Sequence, residues 1–250
     1  MNKSFKNKNI FISGASGKLG KKLALKLMDQ GANVFLLVRD INKISEFSSN
    51  NKAKIIEMDF CNAESMREFI EYVTTNSIFM DAFVHAGVYR PGQINHHDYA
   101  SFLEDSLSTN SSSSIYLISE IAKIMARQGG GSIVNVGSIY GKIAPDFRLY
   151  DNLDMGTEPD YAFIKAGTAS AVRYYASLYG KYNVRLNTII LGGVFNNQPE
   201  EFVNRYIQKV PLNRMAKDSD FISGCLFLLS DDSSYITGTE LVIDGGLTAL

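Results

Sequence analysis

The sequence predicts a single α/β domain in which helices cover both faces of a parallel sheet. Short apolar runs alternate with stretches that carry apolar residues at helical spacing along the whole 250-residue chain. A glycine-rich turn joins the first apolar run to the first helical stretch. This alternation is typical of parallel sheets covered on both faces, and the turn favours the doubly wound Rossmann order 3-2-1-4-5-6 with a seventh strand at the edge.

Seven strands and six helices are expected, with no internal linker or repeat. The strands are expected near Asn9–Ser13, Asn33–Val38, Lys54–Met58, Met80–His85, Gly131–Val136, Arg185–Ile190 and Glu240–Ile243. The helices are expected near Lys18–Gln30, Ala63–Thr74, Tyr99–Arg127, Asp160–Lys181, Pro199–Gln208 and Asp218–Ser230. The polar tract Thr109–Ser114 has the composition of a linker, but the apolar pattern on both sides predicts a helix there.

Composition excludes several classes of function. Apolar residues make up 45% and charged residues 20% of the chain, which is typical of a soluble globular protein. A net charge of −1 gives no indication of nucleic-acid binding, and no apolar run approaches the roughly 18 residues of a membrane span. Cys61 and Cys225 form neither a disulfide framework nor a metal-binding spacing, and the chain has no signal-peptide pattern. We therefore expect a cytoplasmic protein with reduced cysteines and no metal.

The glycine-rich turn predicts a phosphate-binding site. Residues Ile10–Ser13 form the strand, Gly14–Gly20 form the turn, and Lys21–Gln30 continue as a helix. Glycines let the backbone turn tightly and approach a ligand closely, while the helix N-terminus offers free N–H groups to a pyrophosphate.

Tyr161 and Lys165 are the most informative pair for chemistry. At a spacing of four on a helix they lie on one face, one turn apart. A positive charge beside a phenol favours the phenolate, so the pair can exchange a proton with a hydroxyl or a carbonyl. Ser138 follows the strand that ends at Val136, where open α/β sheets bind ligands, and it could polarise a substrate oxygen. Asn110 is unfavourable within a helix, and there it could bend the helix and hold a water.

Taken in order along the chain, these motifs resemble those of the short-chain dehydrogenase/reductase family, and the resemblance extends over essentially the whole chain. The matching positions are Gly14–Gly20, His85-Ala86-Gly87, Asn110, Ser138, Tyr161 and Lys165. The segments Tyr235–Gly238 and Leu241–Gly246 near the C-terminus also match. The resemblance implies hydride transfer between a nicotinamide cofactor and a carbonyl or alcohol. It assigns the acid/base role to Tyr161 and binding of the nicotinamide ribose to Lys165. Ser138 would bond the reacting oxygen, and Asn110 would order a relay water.

The resemblance also implies a set of cofactor-binding positions. They are Gly14, Ser16, Gly17, Lys18, Leu19, Gly20, Arg39, Asp59, Phe60, Ala86, Gly87, Tyr161, Lys165, Gly192 and Val194. Three places depart from the usual pattern. Lys18 stands where many relatives have glycine, and His85 replaces an asparagine and is interpreted as structural. Leu191–Val194 stands where Pro-Gly is common.

The residues after the second strand favour NADP(H) over NAD(H). A carboxylate at the strand end would select NAD, but the position is Val38 and the next residue is Arg39, whose guanidinium suits a 2′-phosphate. Lys18 is expected to add a second cation nearby. Asp40 follows Arg39 and keeps the NAD alternative open.

The segment at about 139–159, between Ser138 and Tyr161, is longer than is common in the family and is expected to form a substrate loop. With Gly192–Glu200 it resembles a branch involved in flagellin modification or surface-sugar biosynthesis, which implies a small-molecule substrate such as a sugar derivative. It could equally cap the site or join a subunit contact. The alternatives are a catalytically silent dinucleotide sensor or scaffold and a nucleotide-sugar epimerase or dehydratase. The family resemblance also implies a homo-oligomer, a tetramer or a dimer.

Overall fold

A computed structural model describes residues 5–87 and 99–250 and contains one sheet of seven parallel strands. The strands are β1 (Asn9–Ser13), β2 (Asn33–Val38), β3 (Ala53–Glu57), β4 (Ala82–His85), β5 (Gly131–Val136), β6 (Val184–Leu191) and β7 (Glu240–Ile243). Their spatial order is β3-β2-β1-β4-β5-β6-β7, and every neighbouring pair is parallel. The predicted doubly wound order with a seventh edge strand is confirmed.

Seven α-helices lie in the described part of the chain. They are α1 (Lys18–Asp29), α2 (Ala63–Thr75), α3 (Tyr99–Leu107), α4 (Ser113–Gln128), α5 (Pro159–Tyr179), α6 (Glu200–Ile207) and α7 (Asp218–Leu229). None of these helices combines the length and the apolar composition that a membrane crossing requires.

Alternate residues of the strands supply two separate cores, one on each face of the sheet. In β1, Ile10 and Ile12 belong to the core that includes Leu23 of α1 and Phe221 of α7. Phe11 points to the opposite core, which contains residues of α2, α4 and α5, and its ring stacks on Phe35 of β2 with centroids 4.1 Å apart. This two-sided burial explains why the strands read as continuous apolar runs.

The predicted helix near Tyr99–Arg127 is interrupted in the structure. A π-helical segment, Ser108–Ser112, separates α3 from α4. Within it, the side-chain Nδ2 of Asn110 donates to the Ser106 carbonyl at 3.0 Å, which is the acceptor that an α-helix offers to the backbone N–H of residue 110. The polar tract is therefore helical as predicted, but its amide side chain widens the turn, and π-bulges of this kind are frequent at functional sites.

Two irregular segments help to shape the carboxyl edge of the sheet. A short 3₁₀ helix, Ile41–Phe47, follows β2 and was not predicted. The segment 139–158 contains two further 3₁₀ turns, Ile139–Gly141 and Phe147–Leu149, and joins β5 to α5. Leu149 packs in a small cluster with side chains from α6 and the segment after it, which holds this connection against α6 near the end of β6.

Candidate active site

Two neighbouring cavities lie at the carboxyl edge of the sheet. The first has a volume of about 420 Å³ and is lined by Ser13, Gly14, Ser16, Gly17, Leu37, Val38, Arg39, Asp40, Lys43, Met58, Asp59, Phe60, Cys61, Ala86 and Gly87. The second has a volume of about 380 Å³, and its lining includes Ser138, Tyr161 and Lys165. Ala86, just after β4, lines both cavities and marks where they meet. Ligands of open α/β sheets bind at this edge.

The glycine-rich turn fits a closely approaching phosphate group. Gly14 has φ +71°, and a Cβ there would lie 2.8 Å from the backbone nitrogen of Gly87. A Cβ on Gly20 would lie 2.5 Å from the Gly14 carbonyl oxygen. Gly17 precedes α1 without a side-chain cap, and the first turn of α1 has no acidic residue. The positive end of this 12-residue helix is therefore not neutralised by its own side chains.

Two cations and a helix-capping carboxylate are among the side chains that line the first cavity. Arg39 and Lys43 both line it, and Lys43 belongs to the unpredicted 3₁₀ helix. The Asp40 carboxylate caps that helix, because its Oδ1 accepts from the backbone nitrogen of Asn42 at 3.0 Å and from its side-chain nitrogen at 3.1 Å. Asp59 Oδ1 likewise accepts from the Cys61 backbone N–H at 3.0 Å.

Lys18 is not among the residues that line the first cavity and its ammonium is bonded elsewhere, which corrects the expectation of a second cation beside Arg39. Its Nζ donates to the Phe195 carbonyl at 2.6 Å and pairs with Asp218 of α7 at 3.4 Å. Lys22, one turn further along α1, pairs with the same carboxylate. Because both ammonium groups are drawn to the Asp218 charge, the Lys18 side chain turns toward the segment after β6. Lys43 supplies the neighbouring cation instead.

Ser138, Tyr161 and Lys165 converge in the second cavity. The buried Lys165 ammonium donates to the Val136 carbonyl at 2.7 Å and lies 5.7 Å from the centre of the Tyr161 ring. The Ser138 Oγ accepts from the Tyr140 backbone N–H at 3.2 Å. Because that bond uses a lone pair of the Ser138 oxygen, its hydroxyl hydrogen can point toward a substrate oxygen.

Asn110 is buried, is not among the residues that line the two cavities, and is linked through Ser106 to Asp160, the residue before Tyr161. Its Nδ2 bonds the Ser106 carbonyl, and the Ser106 hydroxyl donates to the Asp160 carboxylate at 2.5 Å. Asp160 immediately precedes Tyr161 in the first turn of α5. Sequence reasoning missed Ser106 and Asp160, since the contact joins residues 54 positions apart.

His85 connects the end of β1 to the first turn of α4. Its Nδ1 lies 2.8 Å from the hydroxyl of Ser13, the last residue of β1, and its Nε2 lies 2.9 Å from the hydroxyl of Ser114 in α4. Burial and, second, the charge of Lys165 lower the pKa of His85 to about 3. A neutral imidazole donates through one nitrogen and accepts through the other, and each serine hydroxyl can supply the complementary role. This geometry agrees with the structural interpretation of His85.

The end of β6 needs glycine for a specific reason. The Gly193 N–H donates to the Tyr206 hydroxyl at 2.6 Å, and a Cβ on Gly193 would lie 2.8 Å from the ring of that tyrosine. Gly192 and Gly193 line the second cavity, whereas Val194 forms a bridge with Ala216. Tyr206 comes from α6, so the pattern of the β6 end alone could not reveal this contact.

One side of the second cavity is lined by residues of the segment 139–158, which the sequence predicted only as a substrate loop. They are Tyr140, Tyr150, Met155, Gly156 and Thr157. Phe202 and Tyr206 of α6 and Gln198 complete this side of the cavity. The aromatic composition of the insert was the available signal, but which rings point inward depends on the 3₁₀ turns.

Comparison with known proteins finds relatives along nearly the whole chain. A family model described as enoyl-(acyl carrier protein) reductase matches residues 14–248. The post-translational flagellin modification protein A of Campylobacter coli is 30% identical over 96% of this chain and 98% of its own length. A 7alpha-hydroxysteroid dehydrogenase of Bacteroides fragilis is 30% identical over 98% of this chain and 95% of its own length.

A solved structure extends the comparison to the fold. The short chain dehydrogenase from Leptospira borgpetersenii with bound NAD+ superposes with a TM-score of 0.90 at 29% identity, over 99% of this chain and 96% of the other. The protein is thus an oxidoreductase of the NAD(P)-dependent class. It belongs to the short-chain dehydrogenase/reductase family, as the family match over residues 14–248 shows.

The neutral state of His85 predicts a distinct loss of stability in acid. An unfolded histidine has a pKa of about 6.5, whereas that of His85 is lowered to about 3. Below pH 6.5 the unfolded chain binds a proton that the folded protein excludes, so the free energy of unfolding falls by up to about 1.4 kcal/mol per pH unit toward pH 3. His85→Asn should flatten this dependence in denaturant titrations at several pH values. Equal slopes for the two proteins would contradict the assignment.

Proposed function

We propose that this protein interconverts a carbonyl and an alcohol by NADP(H)-dependent hydride transfer, with Tyr161 as the acid/base. The observation that carries the proposal is the meeting of the two cavities at Ala86. One cavity offers an uncapped helix N-terminus and a glycine-rich turn to phosphates, and the other contains the Ser138, Tyr161 and Lys165 side chains. A dinucleotide lying along the sheet edge would place its nicotinamide beside these three side chains.

In the proposed mechanism the bound nicotinamide supplies or accepts the hydride. The Ser138 hydroxyl donates to the substrate oxygen and orients it. Tyr161 gives its phenolic proton to that oxygen during reduction and takes it back during oxidation. Lys165 is held by the Val136 carbonyl and keeps a positive charge beside the Tyr161 ring, which stabilises the phenolate. We also assign to Lys165 the binding of the nicotinamide ribose. Asn110 orders a relay water from its position in the π-helical segment.

Tyr161→Phe should reduce turnover by roughly 10²–10⁴-fold, because the acid/base group is removed while the ring remains. The assay is loss of reduced-cofactor absorbance with a panel of hydroxylated and apolar carbonyl compounds. NADPH affinity, measured by fluorescence titration, should change little. Tyr235→Phe is the matched control, since that side chain is fully exposed. If Tyr161→Phe retains turnover, Tyr161 is not the acid/base. If the unmodified protein binds cofactor but turns over no carbonyl compound, a catalytically silent sensor is favoured.

We propose NADP(H) as the preferred cofactor. Arg39 and Lys43 both line the first cavity and suit a 2′-phosphate. The Asp40 carboxylate is already engaged as the cap of the 3₁₀ helix, which makes it a poorer partner for a ribose 2′-hydroxyl. NAD(H) is the alternative, and the NAD+ bound in the Leptospira borgpetersenii relative favours it.

Arg39→Ala and Lys43→Ala should each raise the KM for NADPH by about 10-fold, since each removes a charge-assisted hydrogen bond to the phosphate. The KM for NADH should change less than about 2-fold, because NADH lacks that phosphate. Lys26→Ala, on the outer side of α1 and paired with Asp29, is the matched control. An unmodified protein that prefers NADH, or variants that weaken both cofactors equally, would contradict NADP selectivity.

We propose a sugar or sugar derivative as substrate. The similarity to flagellin modification protein A supports this, and so do the tyrosine hydroxyls in the second cavity. A steroid alcohol is the second candidate, because the similarity to the 7alpha-hydroxysteroid dehydrogenase is of the same extent. The carbonyl panel distinguishes them: preference for polyhydroxylated carbonyls supports the first, and preference for apolar ketones supports the second.

We also propose that the protein acts as a homo-oligomer in the cytoplasm. Ile115 of α4 and Phe163, Tyr174 and Leu178 of α5 are large apolar or aromatic side chains exposed on the two long helices, and exposed apolar patches mark association surfaces. The free cysteines Cys61 and Cys225 suit a reducing compartment. Sedimentation velocity would contradict the first part of this proposal if it found only monomer.

A further inference from the structure

Two tyrosine hydroxyls in the second cavity form a pair that the proposed reaction does not use. The oxygens of Tyr140 and Tyr150 lie 2.6 Å apart, and both residues line the cavity together with Ser138 and Tyr161. We propose that this tyrosine pair binds a hydroxyl group of a neutral substrate at a position other than the reacting carbon. The inference rests on the proposed function and narrows its substrate class to uncharged hydroxy carbonyl compounds and the corresponding polyols.

The position of Tyr140 is fixed relative to the reacting groups. Its backbone N–H donates to the Ser138 Oγ at 3.2 Å. The next residue, Gly141, packs so closely on α5 that a Cβ there would lie 3.0 Å from the backbone nitrogen of Ala166 and 3.0 Å from the carbonyl carbon of Lys165. The 3₁₀ turn that carries Tyr140 is therefore anchored both to Ser138 and to the helix that carries Tyr161.

The position of Tyr150 is fixed from the other side. Its ring lies 5.6 Å from that of Phe202 in α6, measured between centroids. The Arg205 guanidinium donates to the Asp151 carbonyl at 2.7 Å and so ties the following residue to the same helix. Because both phenols are held by separate elements, the pair is preorganised, and a substrate would spend little free energy on ordering it.

The hydrogen-bonding capacity of the pair matches an alcohol. When one phenol donates to the other, the acceptor still has its own proton to donate, and the donor oxygen still has lone pairs to accept. Burial and, second, the bond to Tyr150 raise the pKa of Tyr140, so the Tyr140 phenol stays neutral. The pair therefore presents one donor and one acceptor at adjacent points, and a hydroxyl group is the ligand that can use both.

The charges around the second cavity disfavour phosphorylated and carboxylated substrates. Among the described residues that line it, Lys165 is the only charged side chain. Nearby cations are paired with other carboxylates: Lys142 and Arg148 of the insert pair with Glu240 and Asp146, and Arg205 of α6 pairs with Glu201. A phosphate group would lose its hydration in this cavity, and no cation among the described side chains is dedicated to it. Its desolvation would therefore cost free energy that no ion pair offsets.

The test compares matched ketones in Tyr140→Phe, Tyr150→Phe and the double variant. The probes are cyclohexanone and its 3- and 4-hydroxy derivatives, together with xylulose and xylulose 5-phosphate. Each single variant should lower kcat/KM for at least one hydroxylated ketone and for xylulose by about 10-fold, with less than about 2-fold change for cyclohexanone. The double variant should lose little more than either single variant, because the two hydroxyls act as one unit. Tyr235→Phe, at a fully exposed position, is the control.

A binding measurement separates this inference from the proposed reaction. In the NADPH complex of Tyr161→Phe, calorimetric titration with the same probes reports binding without turnover. Tighter binding of a hydroxylated probe than of cyclohexanone, lost in the Tyr140→Phe background, supports the pair even if no carbonyl is reduced. A pair that only fastens the insert would change all probes equally. Such a uniform change would overturn the inference. So would hydroxylated probes that bind no tighter than cyclohexanone, and so would xylulose 5-phosphate that binds as tightly as xylulose.

Discussion

The buried ammonium of Lys165 and its bond to the Val136 carbonyl hold the catalytic side of this protein together. An unpartnered ammonium would be costly to bury, so the 2.7 Å bond fixes α5 against the end of β5. Ser138 lies two residues beyond Val136, and Tyr161 lies one helical turn before Lys165. One interaction therefore sets the positions of three side chains that are dispersed along the sequence. It also keeps a positive charge beside the Tyr161 phenol, to which we assign the proton exchange.

The cofactor side depends on a second constraint, the close contact between the β1–α1 turn and the residues after β4. Gly14 has no room for a Cβ because Gly87 lies against it, and His85 ties the end of β1 to α4 through two serines. The imidazole takes the place of an asparagine in the family pattern and stays neutral because it is buried. Buried polar groups thus link β1, β4 and α4 beside the glycine-rich turn.

Much of this arrangement could be predicted from the sequence, because apolar periodicity and glycine spacing encode local structure directly. The strand order followed from alternation and handedness. Other features depend on contacts between distant segments. The direction of Lys18 is set by Asp218 on α7, the β6 glycines are required by Tyr206 on α6, and Lys43 reaches the cavity through a 3₁₀ helix that lacks a strong periodic pattern. The tyrosine pair likewise needs two turns whose geometry no local pattern specified.

The central claim is that a dinucleotide lies across both cavities with its nicotinamide beside Tyr161. A crystal structure of the complex with NADP+ tests this most directly. We expect the pyrophosphate at the N-terminus of α1, the 2′-phosphate between Arg39 and Lys43, and the nicotinamide ring in the cavity lined by Ser138 and Tyr161. A dinucleotide bound elsewhere, or a nicotinamide directed away from Tyr161, would contradict it.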